Sequence, residues 1–287
     1  MKRIYTREHL HPEGFKIFVN VYIMNSPTLV TAFFDIGRAD KGDGRTVEEY
    51  LSWIQKTLQL NCNLYVFTEA KFEQFFREHR PAQYPMHLVI IDFKDLYFYR
   101  YRDRMIEIIN SDAYKTRIQH PNRVECVLPE YNIIQYSKFD CLSRAIDENV
   151  FGSSYFFWID AGISRFFLDV DVSKPFPGER ARTFLEGNPH QLIIQNRVDL
   201  RTFPIDQDFI WRSDNLLYGT MFGGGASIIK EIFCAMVGVF ENQMLAKDNV
   251  NNEQLALALL WKEHMPWFCT IHNQSNVHLI LFKILSE

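Results

Sequence analysis

Short apolar runs alternate with amphipathic segments along the first half of the chain. The runs are rich in β-branched and aromatic residues, and they predict strands at 28–34, 64–68, 88–93 and 155–159. Apolar residues at helical spacing predict helices at 47–59, 71–79, 100–109 and 137–149, the first opened by a capping box from Thr46 to Glu49. Strands that are apolar throughout and alternate with helices indicate a mostly parallel sheet flanked by helices, the Rossmann-like α/β class.

The second half of the chain has a different pattern. Residues 172–215 contain several prolines and many charges, which predicts a long irregular excursion with one strand at 191–194. The segment from Met221 to Gly225 is glycine-rich, and we interpret it as a turn where the backbone can approach a ligand closely. Helices are predicted over about 227–245 and 251–260. No repeat, low-complexity tract or flexible linker is present, so we predict a single large domain over 1–287.

Composition and charge narrow the class of protein. Hydrophobic residues make up 47% of the 287 residues, enough for a deep core, and the net charge of -4 argues against binding nucleic acid through a basic surface. No apolar run approaches the ~20 residues of a membrane span. The charged N-terminal segment lacks the apolar region of a signal peptide, which predicts a cytoplasmic protein. The five scattered cysteines, with no C-x-x-C pair, predict free thiols.

An acidic residue follows the strand at 155–159. Asp160 is succeeded by Ala161 and Gly162, and ligands of open α/β sheets bind beyond the carboxyl ends of strands. A carboxylate in this position can coordinate Mg²⁺ or Mn²⁺, which would neutralise the phosphates of a nucleotide. The acidic pair Asp169 and Asp171 is an alternative, although it is equally typical of a polar turn.

Three motifs carry a resemblance to a known family. They are FDIGR at 34–38, Ser137-Lys138-Phe139 and WIDAG at 158–162. Their order, over about residues 28–165, resembles the HtrL/YibB (WlaTC-like) family, which is similar to nucleotide-sugar glycosyltransferases of the GT-A fold. The resemblance implies a GT-A-like domain in which about 25–165 bind the nucleotide sugar and about 166–287 face the acceptor. WIDAG stands in the place of the D-x-D motif of those enzymes, with Gly162 where the second, metal-binding aspartate is usual.

The same resemblance assigns residues to the donor. Asp35 would contact the base or ribose, and the cations best placed to meet a diphosphate are Arg38, Lys138 and Arg165. The complete set assigned to nucleotide binding is Phe33, Asp35, Arg38, Lys138, Asp160, Ala161, Gly162 and Arg165. Some GT-A enzymes supply a metal ligand from a C-terminal histidine, so His272 and His278 are assigned with Asp160 to a Mn²⁺ or Mg²⁺ site.

The last third of the chain is similar to retaining galactosyl- and N-acetylgalactosaminyltransferases of the blood-group type. That similarity assigns Phe222, Gly223 and Gly224 to the acceptor and sugar pocket. It makes Glu253 the nucleophile, or the carboxylate that stabilises an oxocarbenium-like transition state. If the reaction inverts, Glu253 would instead deprotonate the acceptor hydroxyl. A glutamate at the start of a helix is also favoured by the helix dipole alone.

These resemblances imply a hexosyltransferase. It would move a hexose or N-acetylhexosamine from a nucleoside diphosphate sugar, with UDP the expected nucleotide, to a saccharide or other hydroxyl acceptor, as in polysaccharide biosynthesis. Gly162 in place of an aspartate favours an alternative, a nucleotide-sugar-binding module without turnover. A third interpretation is an enzyme of nucleotide or phosphate-ester chemistry on a similar sheet, because a fold by itself does not determine function.

Overall fold

The computed structural model describes residues 26–272 and 278–287, together with the backbone of two further strands. Those two strands, β1 (Ile4–Leu10) and β2 (Lys16–Tyr22), pair antiparallel as a separate two-stranded sheet. The main sheet has seven strands: β3 (Thr28–Phe33), β4 (Asn63–Thr68), β5 (Met86–Ile90), β6 (Tyr155–Ile159), β7 (Leu192–Asn196), β8 (Leu217–Gly225) and β9 (Phe268–His272).

The seven strands lie in the order β5-β4-β3-β6-β8-β7-β9. Neighbouring strands run parallel except at β8, which is antiparallel to both β6 and β7. The predicted α/β class with a mostly parallel sheet is therefore confirmed, with one reversed strand. Strands from both halves of the chain share this sheet, so the second half is built onto the first.

Helices cover the sheet. They are α1 (Arg38–Lys41), α2 (Val47–Thr57), α3 (Glu73–His79), α4 (Arg102–Asn110), α5 (Asp112–Arg117), α6 (Val124–Val127), α7 (Pro129–Glu148), α8 (Ala181–Glu186), α9 (Ala226–Val239), α10 (Glu253–Glu263) and α11 (Ile280–Ser286). The predicted capping box of α2 is present: the Thr46 side chain accepts from the Glu49 amide, and the Glu49 carboxylate accepts from the Thr46 amide. Within the described ranges, we find no helix with the length and apolar character to cross a membrane.

Side chains of the central strands alternate between two hydrophobic clusters. In β6, Phe156 and Trp158 belong to one cluster, whereas Phe157 and Ile159 belong to the other. Helices α7, α9 and α10 pack on the first face, and α2, α3, α8 and α11 pack on the second. Because both faces are covered, the central strands β3 and β6 are buried at every position, which agrees with the apolar runs visible in the sequence.

Two predicted boundaries are wrong. The long helix starts at Pro129, not Ser137, because proline at the first helical turn loses no hydrogen bond and has a backbone angle suited to a helix. The third strand spans Met86–Ile90 instead of 88–93. The early start of α7 matters for function, since its first two turns face the cavity described below.

The predicted turn at Met221–Gly225 is also wrong, because these residues form the end of β8. A Cβ atom on Gly223 would lie 2.2 Å from the carbonyl oxygen of Phe156 and 2.5 Å from the ring of Phe157. A Cβ on Gly224 would lie 2.5 Å from the carbonyl oxygen of Gln191. The glycines therefore permit close packing of β8 against its neighbours, and no ligand is needed to explain them.

We expect Gly223→Ala and Gly238→Ala to change stability in opposite directions. Gly223→Ala forces atoms into the space of Phe156 and Phe157, and overpacking of this kind lowers the free energy of unfolding by about 1–3 kcal/mol. Gly238 lies inside α9 with nothing within 4 Å of an added Cβ, so Gly238→Ala should raise it by about 0.5–1 kcal/mol. Urea denaturation of both variants tests this, and an unaltered Gly223→Ala protein would contradict it.

Candidate functional site

A cavity opens at the carboxyl ends of β3 and β6. It contains about 910 Å³ of empty space, its open mouth included. All the residues that the sequence assigned to nucleotide binding line this cavity: Phe33, Asp35, Arg38, Lys138, Asp160, Ala161, Gly162 and Arg165.

Helix α7 contributes cavity residues that the sequence analysis missed. Tyr131, Ile134 and Gln135 line the cavity from the first two turns of this helix, upstream of the predicted start. Pro129 was the available signal, because proline is common at the first position of a helix. Tyr50 of α2 and Trp158 of β6 add two more rings to the wall.

Lys138 is the centre of a buried ion cluster at the floor of the cavity. Its ammonium nitrogen lies 3.0 Å from Oε1 of Glu253, 3.2 Å from Oδ1 of Asp160 and 2.9 Å from the carbonyl oxygen of Gly219. Only 2% of the Lys138 side chain and none of the Glu253 side chain is exposed, whereas Asp160 is 29% exposed. The three protons of the ammonium therefore have three partners, and Asp160 is the member of the cluster that faces the cavity.

Burial and charge oppose each other in this cluster. Burial alone would lower the pKa of Lys138, but Asp160 and Glu253 outweigh it, and the pKa is raised. Burial raises the pKa of Glu253, and the nearby ammonium offsets this only in part. Gly219 makes room for the pair, because a Cβ there would lie 2.2 Å from Oε1 of Glu253. The cluster is therefore closely packed and keeps Lys138 charged.

Asp160 has a fixed orientation. Its Oδ1 accepts a hydrogen bond from the indole of Trp158 at 2.8 Å and also contacts the ammonium of Lys138. Its backbone amide donates to the carbonyl oxygen of Thr220 at 2.9 Å. No hydrogen bond to Oδ2 is formed within the described part of the chain. That second oxygen is the one available to a ligand.

The other two charged residues near β3 are already paired. Arg38 donates from two nitrogens to both oxygens of Asp43, at 2.7 and 2.8 Å, and to the hydroxyl of Tyr50. Partial burial would raise the pKa of Asp35, but hydrogen bonds from Lys71 and from the Gly37 amide hold it below its usual value. The guanidinium of Arg38 is thus committed to the protein, while Asp35 remains an ionised carboxylate at the cavity mouth.

The residues present do not fit a divalent cation held by the chain. Within residues 26–272 and 278–287, no group of three or more His, Cys, Asp or Glu side chains converges. Asp160 is neutralised by Lys138, and a side chain at position 162 would approach Trp53 to 3.0 Å from its Cβ alone. His272 is exposed at the end of β9. This strand lies three positions from β6 in the sheet, and each position adds about 4.8 Å, so His272 is far from Asp160.

His278 does not complete a metal site either. Its ring stacks on Phe166 with centres 4.3 Å apart and meets Tyr218 edge-on at 5.2 Å. Burial lowers the pKa of His278, and the positive charges of Arg197 and Arg165 lower it further. Two neighbouring cations disfavour a third. The described residues therefore do not bring Asp160, His272 and His278 together, and their assignment to a metal site stays a prediction.

Two further assignments disagree with the geometry. Glu253 begins α10 behind Lys138 and does not line the cavity, so its placement does not support a nucleophile that reaches a sugar. Phe222 is fully buried and stacks on Phe139 with ring centres 4.9 Å apart. Gly223 and Gly224 are packed between strands, as described above. These three residues are part of the core, so the structure offers no support for a sugar pocket at 222–224, which stays a prediction.

Comparison with known proteins identifies the family. The model of a family described as "Bacterial protein of unknown function (HtrL_YibB)" matches residues 25–283. The chain belongs to the HtrL_YibB family. Its relatives include Protein HtrL of Escherichia coli (strain K12), which is 28% identical over 149 residues. That match covers 48% of this chain and 51% of the relative, so this HtrL_YibB chain spans about half the length of the curated relative.

Solved structures that match this chain include a transferase with low overall similarity. Mouse xyloside xylosyltransferase 1, in its apo form, matches with a TM-score of 0.43 and 8% identity, covering 86% of this chain and 85% of that one. A likeness of this size carries no information about activity.

We expect Lys138→Met to destabilise the protein, and by more at neutral than at acid pH. Removing the ammonium leaves the fully buried Glu253 carboxylate without its cation and beside the carboxylate of Asp160, and the loss of one partner of a buried pair typically costs about 3–5 kcal/mol. In the variant no ammonium opposes the effect of burial, so the pKa of Glu253 in the folded state is raised further. The folded protein then keeps the Glu253 proton at pH values where the unfolded chain, in which Glu253 has a pKa of about 4.5, has lost it. Stability of the variant should therefore fall as pH rises from about 5 to about 8.

Lys138 itself does not titrate over that range in the unmodified protein, because its raised pKa places the loss of its proton above 10.5. Lys71→Met is the matched control: Lys71 is half exposed and paired with Asp35, and its removal should cost less than about 1 kcal/mol. Denaturant titrations at the two pH values measure both effects. An equal loss for Lys138→Met at both values would disprove the linkage.

Proposed function

We propose that this HtrL_YibB chain is a glycosyltransferase. It would transfer a hexose or N-acetylhexosamine from a nucleoside diphosphate sugar, with a UDP-sugar as the expected donor, to a hydroxyl of a saccharide acceptor. The observation that supports this is that all eight residues assigned to the donor, from Phe33 to Arg165, line one cavity, where Arg38 and Lys138 hold the walls through protein partners and the others face the space. The cavity lies at the carboxyl ends of parallel strands, where ligands of open α/β sheets bind.

The lining of the cavity suits the parts of such a donor. The rings of Tyr50 and Tyr131 both lie near Arg38, whose guanidinium carbon is 5.8 and 4.8 Å from their centres, and such rings provide flat surfaces for a base. Asp35 and Asp160 offer oxygens to sugar hydroxyls, and Arg165 offers a guanidinium to phosphate. Apolar walls with a few convergent polar groups are typical of ligand sites.

Asp160 is the residue to which we assign the chemistry. In the transfer, the bond from the anomeric carbon to the diphosphate oxygen breaks, a bond to the acceptor oxygen forms, and the acceptor hydroxyl gives up its proton. Trp158 and Lys138 hold Oδ1 of Asp160, which leaves Oδ2 to accept that proton. Both oxygens of Asp35 are already engaged, Oδ1 by the Gly37 amide and Oδ2 by Lys71. Glu253 would act through Lys138 and would not touch the sugar.

A panel of UDP- and GDP-sugars tests the proposal. We expect at least one donor to raise the melting temperature and to release its nucleoside diphosphate when simple saccharides are added, since a ligand that binds only the folded state stabilises it. Asp160→Asn should lower turnover by about 10²–10⁴-fold, the usual contribution of a positioned base. Asp171→Asn, an exposed residue of the alternative acidic pair, is the matched control and should keep full turnover.

The outcomes separate the alternatives. A donor that stabilises the protein without being transferred would indicate a binding module without turnover. Cleavage at the same rate with and without an acceptor would indicate phosphate-ester chemistry. If no donor in the panel changes the melting temperature or is consumed, the proposed function is rejected.

A further inference from the structure

Two arginines beside the cavity have guanidinium groups without a partner. Within residues 26–272 and 278–287, every other arginine pairs with a carboxylate or donates to a backbone carbonyl. Arg165 and Arg197 do neither, and the Nε atom of each is buried with no hydrogen-bond acceptor. A buried donor without an acceptor is costly, so these two groups are explained best by a ligand that supplies one.

Both arginines converge on His278 through a layer of rings. The guanidinium carbon of Arg165 lies 4.7 Å from the centre of the Phe166 ring, which stacks on His278. The guanidinium carbon of Arg197 lies 4.2 Å from the centre of the Tyr218 ring, which meets His278 edge-on. The Nδ1 atom of His278 is also buried without a hydrogen-bond partner. Three unsatisfied nitrogens of basic side chains therefore belong to one cluster.

The cluster lies at the same edge of the sheet as the cavity. Arg165 follows β6 and lines the cavity itself, and Arg197 follows directly after β7. Tyr218 stands near the start of β8, whose reversed direction brings it to the carboxyl ends of β6 and β7. A group bound by the cluster would thus be continuous with a ligand in the cavity.

The charges of the cluster select an anion. Burial lowers the pKa of His278, and the charges of Arg197 and Arg165 lower it further. Among the described residues no carboxylate pairs with either arginine, and the Nε atom of each lacks an acceptor. A divalent cation would be repelled by two guanidinium groups, whereas phosphate oxygens match the forked donors of arginine. The aromatic layer of Phe166 and Tyr218 orients the donors without competing for them.

We propose that Arg165, Arg197 and His278 form a binding site for a phosphate or diphosphate group that needs no divalent cation. In a glycosyltransferase the group would be the diphosphate of the donor, and this identification rests on the proposed function. A phosphate carried by the acceptor has the same chemistry. The site itself rests only on the unpaired donors.

Binding of inorganic pyrophosphate in the presence of EDTA tests the site. We expect titration calorimetry to show binding to the unmodified protein, and Arg165→Gln and Arg197→Gln each to weaken it by about tenfold or more, the scale of a lost charged hydrogen bond. Arg201→Gln removes an exposed arginine that pairs with Asp199, and it should leave the affinity unchanged. Arg197→Lys keeps the charge and should retain more affinity than Arg197→Gln. Thermal melts verify that each variant is folded.

Three results would overturn the site. They are pyrophosphate binding that requires Mn²⁺, equal affinity in the unmodified protein and both glutamine variants, and an equal loss in Arg201→Gln. Sugar-nucleotide turnover is measured separately. Pyrophosphate binding that depends on the two arginines, without turnover of any donor, rejects the proposed function and keeps the site. Turnover of a donor, with the affinity for pyrophosphate unchanged in both variants, rejects the site and keeps the proposed function.

Competition identifies the source of the phosphate. If Arg197→Gln weakens UDP as much as pyrophosphate, and uridine alone is unaffected, the site takes the diphosphate of the donor. If glucose 6-phosphate binds together with UDP, and loses affinity in Arg197→Gln while UDP does not, the site takes a phosphate of the acceptor. Either result supports the phosphate site.

Discussion

The ammonium of Lys138 joins the parts of the molecule that make the cavity. It links α7 to the carbonyl oxygen of Gly219 on β8, to Glu253 at the start of α10 and to Asp160 after β6. Charges this deeply buried are tolerated only when they are paired and hydrogen-bonded, and here all three donors of the ammonium are used. The floor of the cavity is therefore rigid, and the orientation of Asp160 depends on elements from both halves of the chain.

The reversed strand β8 lets the second half of the chain take part in the site. Its run of glycines allows the backbone to lie against Phe156 and Phe157, and its start places Gly219 and Thr220 beside Asp160. A parallel strand in this position would present its other end to the cavity. The same reversal brings Tyr218 to the edge where Arg165 and Arg197 lie.

The cations around the cavity have two different roles. Lys138 and Arg38 have protein partners for their charge, so they hold the site together and are not available to a ligand. Arg165 and Arg197 lack such partners and face the edge of the sheet with unsatisfied donors. Sequence alone gives no means to separate these roles, because Arg38 has the same side chain as Arg165 and Arg197 and only the neighbours differ. The distinction also explains why the donor set near Asp160 does not suit a metal ion.

Local patterns in the sequence determined the α/β class, most of the central strands and the carboxyl-end position of Asp35 and Asp160, because periodicity and strand-end residues are properties of short segments. The family resemblance collected eight residues that do share one cavity. Only the tertiary structure decided that Glu253 lies behind Lys138, that Gly223 and Gly224 are core positions and that Arg197 joins Arg165. Those facts depend on contacts between segments far apart in the chain, and no local pattern records which buried charge meets which partner.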